Sequence, residues 1–364
     1  MERPGITAII LAAGYSERMK QFKPLLDLGG QPVIERVISS FVDAGVADIR
    51  VVAGHCQEKL IPALVGLNVR IVINDRYAEG MFSSVQAGLG SLEAETGSLF
   101  ILPADIPLVR AQTIQYLIER STFHRGRILI PSFLSRRGHP PVVPAEHIEF
   151  IRRYSGGKGL KGALSMLQDD TTLIPVADEN ILFDMDTPAK YLELRERWKR
   201  RHIPSPDECR AIASMFGMPE HTLRHCRAVA DIAGSMTDAL NSAGCAVERD
   251  LIVAAALLHD LARDRPGHAG EAARLVAESG FPEAAALIAT HMDITAGSGG
   301  SVSAAEVLYL ADKLVQEDRQ VSLEQRFGQK LEREAGKTQA LHKIELRYRT
   351  ARSIQERIVA LTGG

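Results

Sequence analysis

The sequence predicts an α/β domain followed by an all-helical domain. Before residue 198, short apolar runs typical of strands alternate with amphipathic segments of helical period. From about Asp207 onward the strand signal disappears, and alanine- and leucine-rich segments of helical period replace it. A charged stretch with two prolines, residues 198–206, separates the two patterns. We therefore predict a mostly parallel sheet covered by helices on both faces, joined to a helical domain.

The individual elements follow from the same alternation. The predicted strands are Ile6–Leu11, Ile49–Ala53, Val69–Ile73, Leu99–Leu102 and Ile128–Ile130. The predicted helices of this domain are Pro32–Ala44, Phe82–Leu92, Ala111–Arg120 and Pro188–Lys199. The predicted boundaries are 1–198 for the first domain, 199–206 for a linker, 207–330 for the second domain and 331–364 for a C-terminal helical extension.

Length and composition fit a globular chain of two domains, with 364 residues, 45% hydrophobic and 24% charged. A net charge of -2 gives no general attraction to nucleic acid or to anionic membranes. The 4 cysteines form no C-x-x-C pair, and the first apolar run is too short to span a bilayer. We expect a cytoplasmic protein with small-molecule substrates and neither nucleic-acid nor membrane partners. The charged helices at 337–361 either pack on the second domain or make a homodimer contact.

A loop of small residues follows the first predicted strand. It runs from Leu11 through Ala12 and Ala13 to Gly14, and ligands bind at this edge of open parallel sheets. Gly14 lets the backbone approach phosphate oxygens, to which free N–H groups donate. Downstream, Arg18 and Lys23 add positive charge suited to a triphosphate. Lys23 is the better candidate for stabilising charge that develops at the α-phosphate.

Carboxylates and hydroxyls are predicted at the same edge. Asp105 follows the fourth predicted strand, where it could hold Mg²⁺ on the phosphates. Asp186, or its neighbour Asp184, either completes that metal site or caps the helix that follows; of the two, Asp186 is preferred for the metal. Ser83 and Ser84 open another helix, and they either contact a base or a phosphate or simply cap that helix.

As an ordered set, these motifs resemble the molybdenum-cofactor nucleotidyltransferases, the MobA/MocA-like family, over about the first 195 residues. The matching pieces are L-A-A-G-x-S-x-R-M, K-x-L-L, G-M-x-S-S, P-A-D-x-P and D-x-D-T-P. The resemblance implies a Rossmann-like domain that transfers a nucleotidyl group from a triphosphate to a phosphorylated acceptor and releases pyrophosphate with Mg²⁺. It also implies that the glycine loop, Arg18 and Lys23 hold the triphosphate, while Asp105 and Asp186 hold the metal.

Two details bear on the donor and the acceptor. The G-M-x-S-S stretch and the sequence R-G-H-P at 137–140 look like the cytidylyl branch, which implies CTP and molybdopterin. The family often shows G-D-x-G where this chain has G-G-K-G at 156–159, so an acidic residue is missing. A sugar, polyol or phosphonate phosphate therefore remains the alternative acceptor.

A second set of polar residues lies in the helical half. Its members are His225, His259, Asp260, His268, His291 and Asp312. Spacings of three, four and seven from apolar neighbours put them on the buried side of their helices. A buried carboxylate or imidazole without a partner costs on the order of several kcal/mol. For any one of them an ordinary hydrogen bond would suffice, but the whole set favours metal binding by Fe, Mn or Zn.

This set resembles the HD-domain metal-dependent phosphohydrolases over about residues 207–330, and in particular the bacterial branch that includes diadenosine tetraphosphate hydrolases. The matching pieces are L-L-H-D at 257–260 and Y-L-A-D-K at 309–313, with the other histidines in order. The resemblance implies two divalent transition metals, Fe or Mn. One would be held by His225, His259, Asp260 and Asp312, and the other by Asp260, His268 and His291.

Two arginines are candidates for contacting the phosphate of the hydrolase substrate. Arg263 stands where the branch often has a lysine, so a catalytic role is implied for Arg263 beside Asp260. Arg319 is weaker, because it lies one residue further from the aspartate than in the tetraphosphate hydrolases. The chain is thus predicted to be a bifunctional nucleotidyltransferase and phosphohydrolase. The alternative is a sugar- or polyol-phosphate nucleotidyltransferase whose HD domain binds a nucleotide and regulates it.

Overall fold

The chain forms two compact units, Met1–Arg201 and His202–Gly364. The computed structural model describes residues 5–93, 96–297, 301–333 and 338–363. Residues 334–337 and 364 of the predicted C-terminal extension lie outside these ranges. Among the helices described, none has both the length and the apolar character needed to cross a bilayer.

The first unit is built on a mixed sheet. Its strands are β1 (Gly5–Leu11), β2 (Asp48–Ala53), β3 (Arg70–Ile73), β4 (Thr96–Pro103), β5 (Ile128–Phe133), β6 (Arg136–Arg137), β7 (Val142–Pro144) and β8 (Thr171–Pro175). They are arranged in the order β3-β2-β1-β4-β7-β5-β6, and β8 pairs with β5. Strands β1 to β4 pair in parallel, whereas β7 runs antiparallel between β4 and β5. The predicted mostly parallel α/β sheet is confirmed.

Helices connect the strands of this sheet. They are α1 (Val33–Asp43), α2 (Gln57–Ala63), α3 (Met81–Gly90), α4 (Ala111–Phe123), α5 (Ala145–Arg153), α6 (Gly159–Met166) and α7 (Pro188–Lys199). The central strand β1 is buried, and Ile9 packs with Val52 of β2 and Leu89 of α3. The parallel register sets Leu11 level with Val52 on one side and Pro103 on the other. The loops that leave β1, β2 and β4 therefore start at one edge of the sheet.

The second unit is helical. Its helices are α8 (Pro206–Met215), α9 (Glu220–Ser242), α10 (Arg249–Leu258), α11 (His268–Glu278), α12 (Pro282–Thr290), α13 (Ala304–Lys313), α14 (Leu323–Arg333) and α15 (Thr338–Thr362). Capping boxes fix the starts of α8 and α13 through Ser205 with Glu208 and Ser303 with Glu306. The predicted helical class is confirmed, with one addition: the short hairpin of β9 (Val315–Gln316) and β10 (Arg319–Gln320).

The close approach of α3 to β1 gives a test of the first unit. A Cβ at Gly88 would lie 2.6 Å from Cγ2 of Ile9, whereas one at Gly90 would meet no described atom within 4 Å. Alanine is favoured over glycine in a helix by about 1 kcal/mol. Overpacking outweighs that gain at Gly88, so we expect Gly88→Ala to destabilise the unit by about 1–3 kcal/mol.

Gly90→Ala is the matched control on the same helix and should be neutral or slightly stabilising. The chain has 1 tryptophan. It is Trp198 in the first unit, so denaturation followed by tryptophan fluorescence reports on that unit. Equal midpoints for the two variants would contradict the packing of α3 on β1.

Candidate active sites

A cleft of about 420 Å³ opens where β1 and β4 end. The predicted residues that line it are Leu11, Ala12, Ala13, Gly14, Arg18, Lys23, Ser84, Asp105 and Asp186. Main-chain hydrogen bonds hold its floor, since Ala12 N donates to Val52 O at 2.9 Å and Ala104 N donates to Leu11 O at 3.0 Å. No described atom lies within 4 Å of the position of a Cβ on Gly14. The loop backbone is therefore open to a ligand at this point.

Three predicted residues form a charged cluster at the cleft. The ammonium Nζ of Lys23 lies 2.9 Å from Oδ2 of Asp105 and 2.7 Å from Oδ1 of Asp186. Arg18 Nη2 lies 2.5 Å from the other oxygen of Asp186. Burial alone would lower the pKa of Lys23, but the two carboxylates raise it. Burial alone would likewise raise the pKa of Asp186, which Lys23 and Arg18 hold below its usual value.

The backbone bears on the capping role left open for Asp186. Helix α7 is capped by Thr187, whose hydroxyl accepts from Lys190 N at 3.3 Å, so the Asp186 carboxylate is not needed as a cap. Met185 N donates to Asp105 O at 2.9 Å, which ties the two aspartate loops together. Asp184 is exposed and does not line the cleft. Asp186 thus stands at the site and Asp184 does not.

The two predicted serines differ in their position relative to the cleft. Ser84 lines the cleft, but Ser83 is buried behind it, with its Oγ 2.8 Å from the carbonyl oxygens of Arg76 and Gly80. The hydroxyl of Ser83 is thus used locally at the start of α3, and its contact with the nucleotide stays a prediction. Asn74, which sequence reasoning missed, donates to both hydroxyls at 2.9 and 3.0 Å. Its position directly after β3 was the available signal.

The second unit brings all six predicted polar residues together. His225 lies on α9, Asp312 lies on α13, and the others stand at the ends of α10, α11 and α12. Asp260 Oδ2 lies 3.6 Å from Nε2 of both His225 and His259. Its other oxygen lies 3.6 Å from Nε2 of His268 and 3.8 Å from Nε2 of His291. One carboxylate thus faces two different pairs of imidazoles.

Hydrogen bonds orient three of these imidazoles. Nδ1 of His225 lies 2.6 Å from the carbonyl oxygen of Glu317, in the turn of the β9–β10 hairpin. His259 and His291 approach carbonyl oxygens one turn earlier at 2.8 and 2.7 Å. When such an imidazole is neutral and its Nδ1–H donates, its Nε2 carries a lone pair directed into the cluster. Among the described residues, the buried Nε2 atoms of His259 and His291 have no hydrogen-bond partner.

Charge in the cluster also suits metal binding. Lys313 Nζ lies 2.6 Å from Oδ2 of Asp312, whose Oδ1 lies 3.3 Å from His225 Nε2. Burial alone would raise the pKa of Asp312, but Lys313 with the adjoining imidazoles holds it well below its usual range. Burial, assisted by His259, lowers the pKa of His291 to about 4. The aspartate is then ionised and this imidazole neutral near neutral pH, the forms in which both bind metals.

A pocket of about 180 Å³ adjoins the cluster. Arg263 lines it, with Nη1 2.8 Å from Oδ2 of Asp260. The weaker candidate Arg319 does not; it is exposed on β10. Arg326 of α14 and Arg347 of α15 line the pocket instead. Sequence reasoning missed both, since nothing in their spacing connects them to the cluster.

Comparison with known families agrees with this division. Residues 8–172 match the family model described as MobA-like NTP transferase domain, and residues 222–323 match the HD domain. The two predicted resemblances are confirmed. Asp186 lies beyond the first matched segment, and Arg326 and Arg347 lie beyond the second.

The curated relatives match the chain in part. The Bifunctional protein GlmU of Syntrophomonas wolfei is 33% identical over 151 residues, which are 40% of this chain and 33% of that protein. The protein of the same name from Novosphingobium aromaticivorans is 37% identical over 122 residues, covering 33% of this chain and 26% of that protein. The chain thus spans about a third of the first relative and about a quarter of the second.

Solved structures also match the chain in part. A nucleotidyl transferase from Methanothermobacter thermautotroptrophicus has a TM-score of 0.48 at 23% identity, covering 54% of this chain and 99% of that one. Molybdopterin-guanine dinucleotide biosynthesis protein A from Archaeoglobus fulgidus has a TM-score of 0.41 at 17% identity, covering 53% and 99%. These similarities do not identify the base or the acceptor.

The geometry of Asp260 predicts how metal is lost from variants. We expect the purified protein to hold about two metal ions per chain, since each carboxylate oxygen faces its own pair of imidazoles. His268→Ala should then retain about one ion, and Asp260→Asn should lose both. Metal analysis by mass spectrometry measures this directly. His221→Ala, an exposed histidine one turn before His225 on α9, is the control; a full metal content in His268→Ala would rule out the arrangement.

Proposed function

We propose that this chain, which joins a MobA-like NTP transferase domain to an HD domain, is a bifunctional enzyme. The first domain transfers a nucleotidyl group from CTP to molybdopterin or a related phosphorylated acceptor and releases pyrophosphate. The second hydrolyses a phosphate ester at a two-metal centre. The transferase proposal rests on the contacts of Lys23 with Asp105 and Asp186 in one cleft. The hydrolase proposal rests on Asp260, whose two carboxylate oxygens face different imidazoles.

The donor set of the cleft fits Mg²⁺. Oxygens of Asp105 and Asp186 already converge on one cation, the ammonium group of Lys23, and carboxylate oxygens are the ligands that Mg²⁺ prefers. When bound, Mg²⁺ supplies positive charge that weakens the electrostatic repulsion between the triphosphate and the attacking acceptor. Arg18, whose side chain is 70% exposed, is free to turn from Asp186 towards the phosphates.

Lys23 has the central role in the proposed transfer. Its ammonium group is held where the glycine loop and the aspartate loops meet, and its raised pKa keeps it charged. An acceptor phosphate oxygen attacks the α-phosphorus, and the bond to the bridging oxygen of pyrophosphate breaks. Negative charge grows on the α-phosphate oxygens during this step, and a fixed cation beside them lowers the barrier.

The base and the acceptor rest on finer features. CTP is supported by the G-M-x-S-S stretch, whose Ser84 lines the cleft, and by the R-G-H-P sequence. In the latter, Gly138 has no room for a side chain, since a Cβ would lie 2.6 Å from Ile181. Lys158, in the stretch that lacks the acidic residue, adds an exposed cation. The missing acidic residue leaves a second candidate, a sugar, polyol or phosphonate phosphate as the acceptor.

The hydrolase site fits two transition-metal ions. His225, His259, Asp312 and Oδ2 of Asp260 would hold one, and Oδ1 of Asp260 with His268 and His291 the other. Mixed sets of imidazoles and carboxylates suit Fe or Mn. When bound, the ions supply an activated hydroxide and polarise the phosphate. The protein itself fixes the imidazole tautomers through main-chain carbonyls and places Arg263 at the pocket wall.

The transferase proposal predicts a large loss on removal of the Lys23 charge. We expect Lys23→Met to lower kcat for pyrophosphate release from CTP and molybdopterin by about 10²–10³-fold, because the charge at the α-phosphate loses its stabilising cation. Lys20→Gln is the control, since Lys20 is exposed nearby and does not line the cleft. Pyrophosphate release only with sugar or polyol phosphates would select the second acceptor. Absence of release with every triphosphate and acceptor tried would reject the transferase.

The hydrolase proposal predicts independent loss of the second activity. Asp260→Asn should abolish hydrolysis of bis(p-nitrophenyl) phosphate by the manganese-loaded full chain, because both ions lose a shared ligand, and leave nucleotidyl transfer unchanged. A wild-type protein replete with metal but inert on this ester and on nucleotides would favour a regulatory HD domain instead.

A further inference from the structure

The wall of the hydrolase pocket includes a part of the chain that the HD-domain match does not reach. The match ends at residue 323, whereas Arg326 and Phe327 come from α14 and Ile344 and Arg347 come from α15. These residues line one pocket with Asp260, Asp312 and two of the histidines. Part of the wall that contacts a substrate is therefore supplied by residues outside the matched segment.

The pocket is rich in positive charge. The cationic side chains that line it are Arg263, Lys313, Arg326 and Arg347. Two of them already pair with cluster carboxylates, Arg263 with Asp260 and Lys313 with Asp312. Since any bound metal ions add to these charges, the pocket suits a small ligand that carries several negative charges.

The two arginines from α14 and α15 are prepared for such a ligand in different ways. Arg347 is held by Asp293 through two hydrogen bonds of 2.6 and 2.7 Å, which fix its guanidinium group. Arg326 has a buried Nε with no hydrogen-bond partner among the described residues. A buried donor without a partner is costly, so an anion in the pocket would satisfy it.

The size of the pocket limits what it can enclose. Its volume is about 180 Å³, against about 420 Å³ for the transferase cleft of the same chain. Pockets that enclose drug-sized ligands are roughly 300–1,000 Å³. A base would also lack a stacking surface at Phe327, which is 2% exposed and packs against Tyr348 at a centroid distance of 5.5 Å. Charge and volume thus favour a phosphate species without a nucleoside.

We infer that the HD pocket takes inorganic pyrophosphate, the product that the proposed transfer releases. This inference rests on the proposed function of both domains. The reaction is hydrolysis: a water oxygen forms a bond to one phosphorus, the bridging P–O bond breaks, and the second phosphate leaves with the electron pair. The two protons of the water are shared between the two phosphates, and no oxidant or reductant is needed.

Consumption of pyrophosphate would make the transfer irreversible. Nucleotidyl transfer exchanges one phosphoanhydride bond for another, so pyrophosphate that accumulates drives it backwards. Because pyrophosphate diffuses freely, the second domain can remove it without receiving it directly from the first. The two activities would then form a sequence in which the hydrolase acts on the by-product of the transferase.

The test uses the full chain with Lys23→Met, so that the transferase cleft does not dominate the handling of pyrophosphate. Binding of imidodiphosphate, a non-hydrolysable analogue, is measured by calorimetry on the manganese-loaded protein, and hydrolysis is measured by phosphate release. We expect pyrophosphate to be preferred at least tenfold over ATP, CDP and diadenosine tetraphosphate. Arg326→Gln should weaken imidodiphosphate binding by about tenfold or more.

Arg352→Gln is the matched control, because Arg352 lies on α15, pairs with Glu356 at 3.0 Å and does not line the pocket. It should leave binding unchanged. A preference for nucleotides, with pyrophosphate inert, would overturn the inference and leave the proposed phosphohydrolase standing. Equal binding by Arg326→Gln and the parent would overturn the assigned role of the pocket. Failure to hydrolyse any phosphate ester would instead reject the hydrolase itself.

Discussion

Taking a carboxylate out of water costs on the order of several kcal/mol unless opposite charge lies beside it. Both units of this chain face that cost. In the first, Lys23 and Arg18 supply the opposite charge for Asp105 and Asp186 from within the protein. In the second, cationic side chains approach the carboxylates, yet buried imidazole nitrogens still face them without a hydrogen bond. Protein cations thus pair the carboxylates of both sites, but in the second site the buried imidazole nitrogens still lack partners and call for metal ions.

The main chain does the positioning at both sites. In the first unit the hydrogen bond from Met185 N to Asp105 O joins the two aspartate loops, which leaves both carboxylates free to face the cleft. In the second unit, the carbonyl oxygen of Glu317 orients His225, and carbonyls at the ends of α10 and α12 orient two more imidazoles. The small β9–β10 hairpin, despite its two-residue strands, thereby orients His225.

The sequence could predict those features that are local or tied to element ends. Strands β1 to β5 and the polar cluster of the second unit follow from periodicity and from the position of polar residues after apolar segments. Strands β6 and β7 carry no such signal, because they are two or three residues long. Ser83 and Ser84 are equivalent in sequence, and only the structure shows that Ser84 lines the cleft while the hydroxyl of Ser83 donates to Gly80 O. Arg326 and Arg347 depend on how α14 and α15 fold back, which spacing does not encode.

A family resemblance supports inferences about the reaction more strongly than inferences about the substrate. Metal ligands define a reaction class, since any phosphate ester that reaches two ions can be attacked. Substrate choice depends on the rest of the wall, which here comes from helices beyond the matched segment. The arginine expected from the diadenosine tetraphosphate branch is displaced to an exposed strand, and two others stand in the pocket. Preference for a dinucleotide therefore does not follow from the shared ligands, and the charge and volume of this pocket carry more weight than its motif.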